Sequence, residues 1–93
     1  MVQVHINSEE LSNVRSWNVS FKKKNDLNEM LEIHCELGSN LSNFCDIEED
    51  TIIVLRISDQ IIRFKVNRVG FIGMANVSNN LYEVMVAYGE TIK

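Results

Sequence analysis

Residues Thr51 to Val66 read TIIVLRISDQIIRFKV, and the two apolar rows in this stretch line up only if it folds back on itself at Ser58-Asp59. Pairing Ile57 with Gln60, Leu55 with Ile62, Ile53 with Phe64 and Thr51 with Val66 gathers the large apolar side chains on one face. The other face then carries Ile52, Val54 and Arg56 against Ile61, Arg63 and Lys65. Successive side chains on a strand point to opposite faces, so a slip of one residue would mix the rows and expose the core set. The stretch predicts a central β-hairpin with a fixed register.

The same period of two recurs on both sides of the hairpin. Val2, Val4 and Ile6 alternate with Gln3, His5 and Asn7. Val14 to Lys22 sends Trp17, Val19 and Phe21 to one side, which reads as core. Met30 to Leu37 alternates Leu31, Ile33, Cys35 and Leu37 with Glu32, His34 and Glu36, and Leu81 to Tyr88 places Tyr82, Val84, Val86 and Tyr88 together. Helical signals are short: Asn7 or Ser8 caps at most one turn through Leu11, and Ser39 to Phe44 forms another. Lys22 to Asn28, Gly38 to Asn43 and Gly73 to Asn80 read as loops, the last a long hairpin loop.

The strand after Ser58-Asp59 has a break in parity: Ile62, Phe64 and Val66 share one side, Val69 and Phe71 the other. One extra residue near Asn67 restores the pattern, which is what a β-bulge does. Gly70 and Gly73 just beyond suit a sharp bend or a close backbone approach. Bulged, bent strands curl small sheets. The expected fold is all-β: one domain over residues 1–93, a small, partly open antiparallel β-barrel of about six strands. The chain has no proline, so one common means of blunting a sheet edge is missing. Its edges must be closed by the barrel, protected by charge, or paired with another chain.

With 93 residues, 45% of them apolar, the chain has room for one modest core, and an oligomer would add stability. A net charge of −4 and a pI near 5.0 argue against a nucleic-acid binder that works by neutralising phosphates. No basic segment leads into an apolar one at Met1-Val2-Gln3-Val4-His5, and no apolar run approaches the roughly 20 residues a bilayer span needs. A cytoplasmic or virion-associated location without a secretory signal is the expectation. Cys35 and Cys45 lack paired C-x-x-C spacing and read as reduced thiols. The Asn-x-Ser triplets at Asn18, Asn40 and Asn76 follow from an abundance of Asn and Ser.

Chemistry is sparse. His34 between Glu32 and Glu36 resembles an acid-base or metal cluster, but three or four ligands must converge for a metal. It reads better as a polar face whose glutamates meet Arg63 and Lys65 across the sheet. The acidic run Asp46, Glu48, Glu49, Asp50 lacks the glycine and closing glutamate of a calcium loop and reads as a solvated turn. Lys22, Lys23 and Lys24 beside Trp17 and Phe21 have the composition of a single-strand nucleic-acid site, yet the aromatics share the core side. No phosphate loop and no nucleophile with a base is present. The expectation is no catalysis, no cofactor and no metal.

In strand order, QVHINSEELSNVRSWNVSFKKKNDLNEMLEIHCEL, EEDTIIVLRISDQIIRFKVNRVGF and NLYEVMVAYGE resemble the small β-barrel domains of phage tail and baseplate hub proteins. Leu31, Ile33 and Leu37, then Glu49-Asp50 before Ile52 to Ile57, then Phe64, Val66 and Val69 occupy similar places. The resemblance spans most of the chain as a pattern of apolar alternation, with Ser58-Asp59 standing where a glycine-containing turn is commoner. It implies a non-catalytic structural protein that forms rings or joins tail parts.

The reading is thus an assembly or protein-interaction module with protein partners, as a homo-oligomer or within a larger complex. No membrane and no nucleic acid is expected. Contact is expected at Arg56, Arg63 and Lys65, at Asn76 and Asn79 in the Gly73–Asn80 loop, and at Tyr82 and Tyr88, since tyrosine and arginine combine area with directed polar groups. The alternatives are an OB-like module for single-stranded nucleic acid or a small ligand, and a viral inhibitor of a host protein.

Overall fold

The computed structural model describes residues 2–21 and 28–92. The Lys22–Lys24 segment lies outside the described residues. The strands are β1 (Val2–Ile6), β2 (Glu9–Glu10), β3 (Val14–Phe21), β4 (Glu29–Cys35), β5 (Ile52–Ile57), β6 (Gln60–Val77) and β7 (Asn80–Ile92), with a single 3-10 turn at Leu41–Phe44. They form one antiparallel sheet in the order β2-β1-β5-β6-β7-β4-β3. The seventh strand relative to expectation is β2. Where a helical turn was expected at Asn7-Ser8, both residues take positive φ (51° and 69°) and turn the chain so that Ile6 pairs with Glu9.

The central hairpin has the register read from its sequence: Ile57 opposite Gln60, Leu55 opposite Ile62, Ile53 opposite Phe64. Val66 continues it by donating its N–H to the Thr51 carbonyl at 2.9 Å. Ile53, Leu55, Phe64 and Val66 are fully buried. Val4 and Ile6, Leu31, Ile33 and Cys35, and Met85 and Ala87 complete the concave face from the neighbouring strands. Each fully buried aliphatic or aromatic side chain of this kind contributes roughly 1.5–3 kcal/mol. Val19 packs against the same core, and so does Trp17, whose indole N–H donates to the Arg56 carbonyl on β5 at 3.4 Å. That bond runs from the last strand in the sheet order to the third, so the sheet is strongly curled. It is not closed, because β2 and β3 share no ladder.

Leu11, Leu41 and Phe44 seal one end of the core. Asn40 fastens this plug: its side-chain oxygen accepts from the Ser12 N–H at 2.8 Å and its amide donates to the Glu10 carbonyl at 3.0 Å. Asn40 of the Asn40-Leu41-Ser42 triplet thus ties the Glu10–Ser12 segment to the turn at Leu41–Phe44.

The bulge expected near Asn67 is present, since Val66 faces Gly89 while Arg68 faces Tyr88. A second one follows: Val69 faces Ala87 and Phe71 faces Val86, leaving Gly70 extra. The expected common side for Val69 and Phe71 is therefore corrected. Val69 and Ile72 pack on the core, and Phe71 is turned to the convex face, 45% exposed.

Beyond the second bulge the structure again departs from expectation. Gly73 to Val77 is strand, paired with Asn80 to Val84, and the loop shrinks to Ser78-Asn79. Both turn residues have positive φ, 52° and 68°, the type I′ geometry whose twist matches the flanking strands. The β6–β7 hairpin is consequently a long arm. β5 pairs with β6 only as far as Lys65, and among the described residues no strand lies along the other edge of β6 beyond Val66.

Candidate functional site

Three surfaces gather the residues singled out above. The first is the convex face of β1, β5 and β6. His5 lies opposite Val54, Ile52 opposite Lys65, and Arg56 opposite Ile61. His5, Asn7, Ser8, Ile52, Val54 and Arg56 line an open hollow of about 470 Å³. Arg56 and Arg63 are exposed, as is Ile61. The expected pairing of this basic row with Glu32 and Glu36 is not found. The reason is topological: Arg63 and Lys65 lie on β6, and β7 stands between β6 and β4. Lys65 instead meets Asp50 at 3.3 Å, Glu36 meets Arg15 at 3.0 Å, and Glu32 meets His34 at 2.6 Å.

The second surface is the convex face of β4 and β7. Tyr82 is only 6% exposed, because the Arg15 guanidinium lies 5.3 Å over its ring and His34 stands 6.0 Å from it. Its ring is thereby withdrawn from solvent. The hydrogen bond that Arg15 donates to Glu36 raises the Arg15 pKa above its ordinary value. Tyr88 is half-buried, with Arg68 stacked 4.0 Å over its ring and Gly70 beneath it. Among the described residues, no group of three or more His, Cys, Asp and Glu side chains converges as a metal site requires.

The third surface is the β6–β7 arm. A two-residue turn closes on a hydrogen-bonded pair, here Val77 with Asn80, and such pairs alternate along an antiparallel ladder. Ala75, Gly73 and Phe71 therefore spend their N–H and C=O groups on β7. Those of Ile72, Met74 and Asn76 point the other way, along the open edge. Met74 is 62% exposed, the highest value among the large apolar residues described; Leu81 is exposed on the same face and Phe71 on the opposite one. From Val69 to Tyr82 no residue carries a charge, the longest such run in the chain. Asn79 sits in the turn and Asn76 on the edge. Sequence reasoning picked out these two asparagines but missed Met74. A charge-free run without proline was the signal available for it.

Next to this edge, Leu41, Ser42, Cys45, Ile72, Met74 and Glu83 border a cleft of about 210 Å³ on the concave side. The Cys45 thiol is exposed and donates to the Ser42 carbonyl at 2.9 Å. Cys35 is buried, and burial pushes its pKa up to about 11. Both cysteines are free. No helix among the described residues is long and apolar enough to cross a membrane. Comparison with protein-family models, with curated proteins and with solved structures finds no match.

Proposed function

We propose that this protein is a non-catalytic assembly module, built on a partly open barrel, that joins other protein through the free edge of β6. The observation that carries the reading is the combination of unsatisfied strand edge and missing protection. Natural sheets blunt an open edge with lysine, proline, a bulge or a covering element. Here both bulges lie before Phe71, and the segment after them is regular, uncharged and free of proline. An added strand takes main-chain hydrogen bonds from such an edge and draws specificity from pockets for alternate side chains. The cleft beside Met74 is placed to serve as one.

The resemblance to phage tail and baseplate domains supports the same class of role, a structural part that works by contact. What favours it over single-stranded nucleic acid is the acidic balance of the chain and the engagement of Trp17 with the core. A photo-reactive amino acid at Met74, compared with one at Asp59 on the opposite turn, tests the proposal in the native source. One dominant adduct at Met74 that is missing at Asp59 is the expected outcome. Equal or no adducts at the two positions would sink the reading.

A further inference from the structure

We infer that the occupant of the β6 edge is a second copy of this chain, so that two molecules join their sheets by antiparallel pairing of β6 with β6 about Met74. This rests on the assembly reading and names its partner. A two-fold axis through the edge sets Met74 opposite its own copy and Ile72 opposite the copy's Asn76. All three residues direct their main-chain groups outward, so each opposed pair exchanges both hydrogen bonds.

Charge along the seam permits this partner. Two chains of net charge −4 repel at a distance, and like charges placed opposite one another across a ladder destabilise it. The stretch from Val69 to Tyr82 holds no charge at all, so two copies can meet along its β6 part without that penalty. Shape agrees. On the convex side the seam opposes Gly73 to the copy's Ala75, two small residues, while the Phe71 ring is folded over Gly73 at its own strand. On the concave side the cleft bordered by Leu41, Cys45 and Glu83 lies where the copy's Met74 side chain falls.

Proline at Met74 is the selective perturbation. The Met74 N–H points away from β7, so proline there removes a seam donor and leaves the β6–β7 ladder intact, as edge positions tolerate. Light scattering after size exclusion is to be run from about 10 μM to about 1 mM, the range in which a seam of this small size associates. The native chain is expected to rise from 10.7 kDa toward twice that mass. Met74→Pro and the independent variant Met74→Lys are expected to stay at the single-chain mass with an unchanged circular dichroism spectrum, while Ile61→Lys on the basic face still associates. A native chain that remains single throughout overturns self-pairing, and the photo-adduct at Met74 then decides separately whether a different protein uses the edge. Association that survives both Met74 variants, or that is lost in Ile61→Lys, also overturns it.

Discussion

Replacing Gly89 by alanine is expected to be among the most damaging small substitutions in this protein. Alanine ordinarily stabilises a strand position by reducing the entropy of the unfolded chain, by about 0.4–1 kcal/mol. At Gly89 the sign reverses. This buried residue faces Val66 beside the first bulge, and a Cβ there overlaps the Lys65 carbonyl oxygen, with the Lys65 carbonyl carbon at 2.9 Å and Phe64 Cε1 at 3.1 Å. The obstacle is backbone, so relief requires β6 and β7 to separate by on the order of 1 Å, far enough to forfeit much of the local dispersion energy. Overpacking of about 1–3 kcal/mol plus one or two weakened ladder bonds at about 1 kcal/mol each gives a loss of about 3–4 kcal/mol. For a small domain whose total stability is roughly 5–10 kcal/mol, that is a large share. In urea, with a slope of about 1–1.5 kcal/mol per molar, the midpoint falls by about 2 M or more. Two other glycines calibrate the result. At Gly70 the new methyl meets the Tyr88 ring edge at 2.5 Å, a side chain that swings aside at the expense of its Arg68 stack, for a loss of about 1 kcal/mol. At Gly73 it meets only the exposed Phe71 ring at 3.0 Å and changes stability by no more than about 0.5 kcal/mol. A Gly89→Ala midpoint within experimental error of the native one would refute the close crossing of β6 and β7 on which the curl depends.

Two further outcomes follow from local chemistry. The buried Cys35 thiol is held neutral with its pKa raised to about 11 by desolvation, with the Ser39 hydrogen bond opposing and Glu83 adding to the rise. In the unfolded chain it ionises near pH 9, so the folded state holds the extra proton in the window between. The Cys35 contribution to stability is then flat below about pH 8.5 and falls from pH 9 toward 11 by on the order of 2 kcal/mol. Urea midpoints across that range check it, and Cys35→Val is expected to flatten the slope. Replacing Ser78-Asn79 by Asn-Gly relieves two non-glycine residues at positive φ in a turn type that favours that pair. Thermal unfolding is expected to show a gain of about 1 kcal/mol with no change in association.

The hairpin register and the bulge near Asn67 were legible because Ile53, Leu55, Phe64 and Val66 are large enough for each residue to report its face. The second bulge was not. Gly70 has no side chain to report a face, and Val69 and Phe71 stand two apart whether or not a residue is bulged between them. β2 escaped for a similar reason, since Glu9 and Glu10 are both exposed and two residues show no alternation. The end of β6 read as a loop because Gly73, Ala75 and Asn76 have weak strand preference, and because Ser78-Asn79 turns without glycine. Of the contact residues, Arg56 and Arg63 lie on exposed surface as their position in the alternation suggests, and Asn76 and Asn79 are exposed on a strand and a tight turn instead of in the long loop expected. Tyr82 does not, because its cover comes from Arg15 on β3 and His34 on β4, a long-range contact that no local pattern encodes. The same blindness to strand order paired Arg63 and Lys65 with Glu32 and Glu36.

The central claim, that β6 offers one open edge while its other edge is spent on β7, is tested most directly by amide hydrogen exchange resolved residue by residue at low protein concentration. The expected result alternates along the arm: Phe71, Gly73 and Ala75 amides are protected, while Ile72, Met74 and Asn76 exchange rapidly and become protected as concentration rises. Uniform protection at every concentration would mean the edge is already covered within the chain. Uniformly fast exchange would mean the arm is not a strand, and either result contradicts the account.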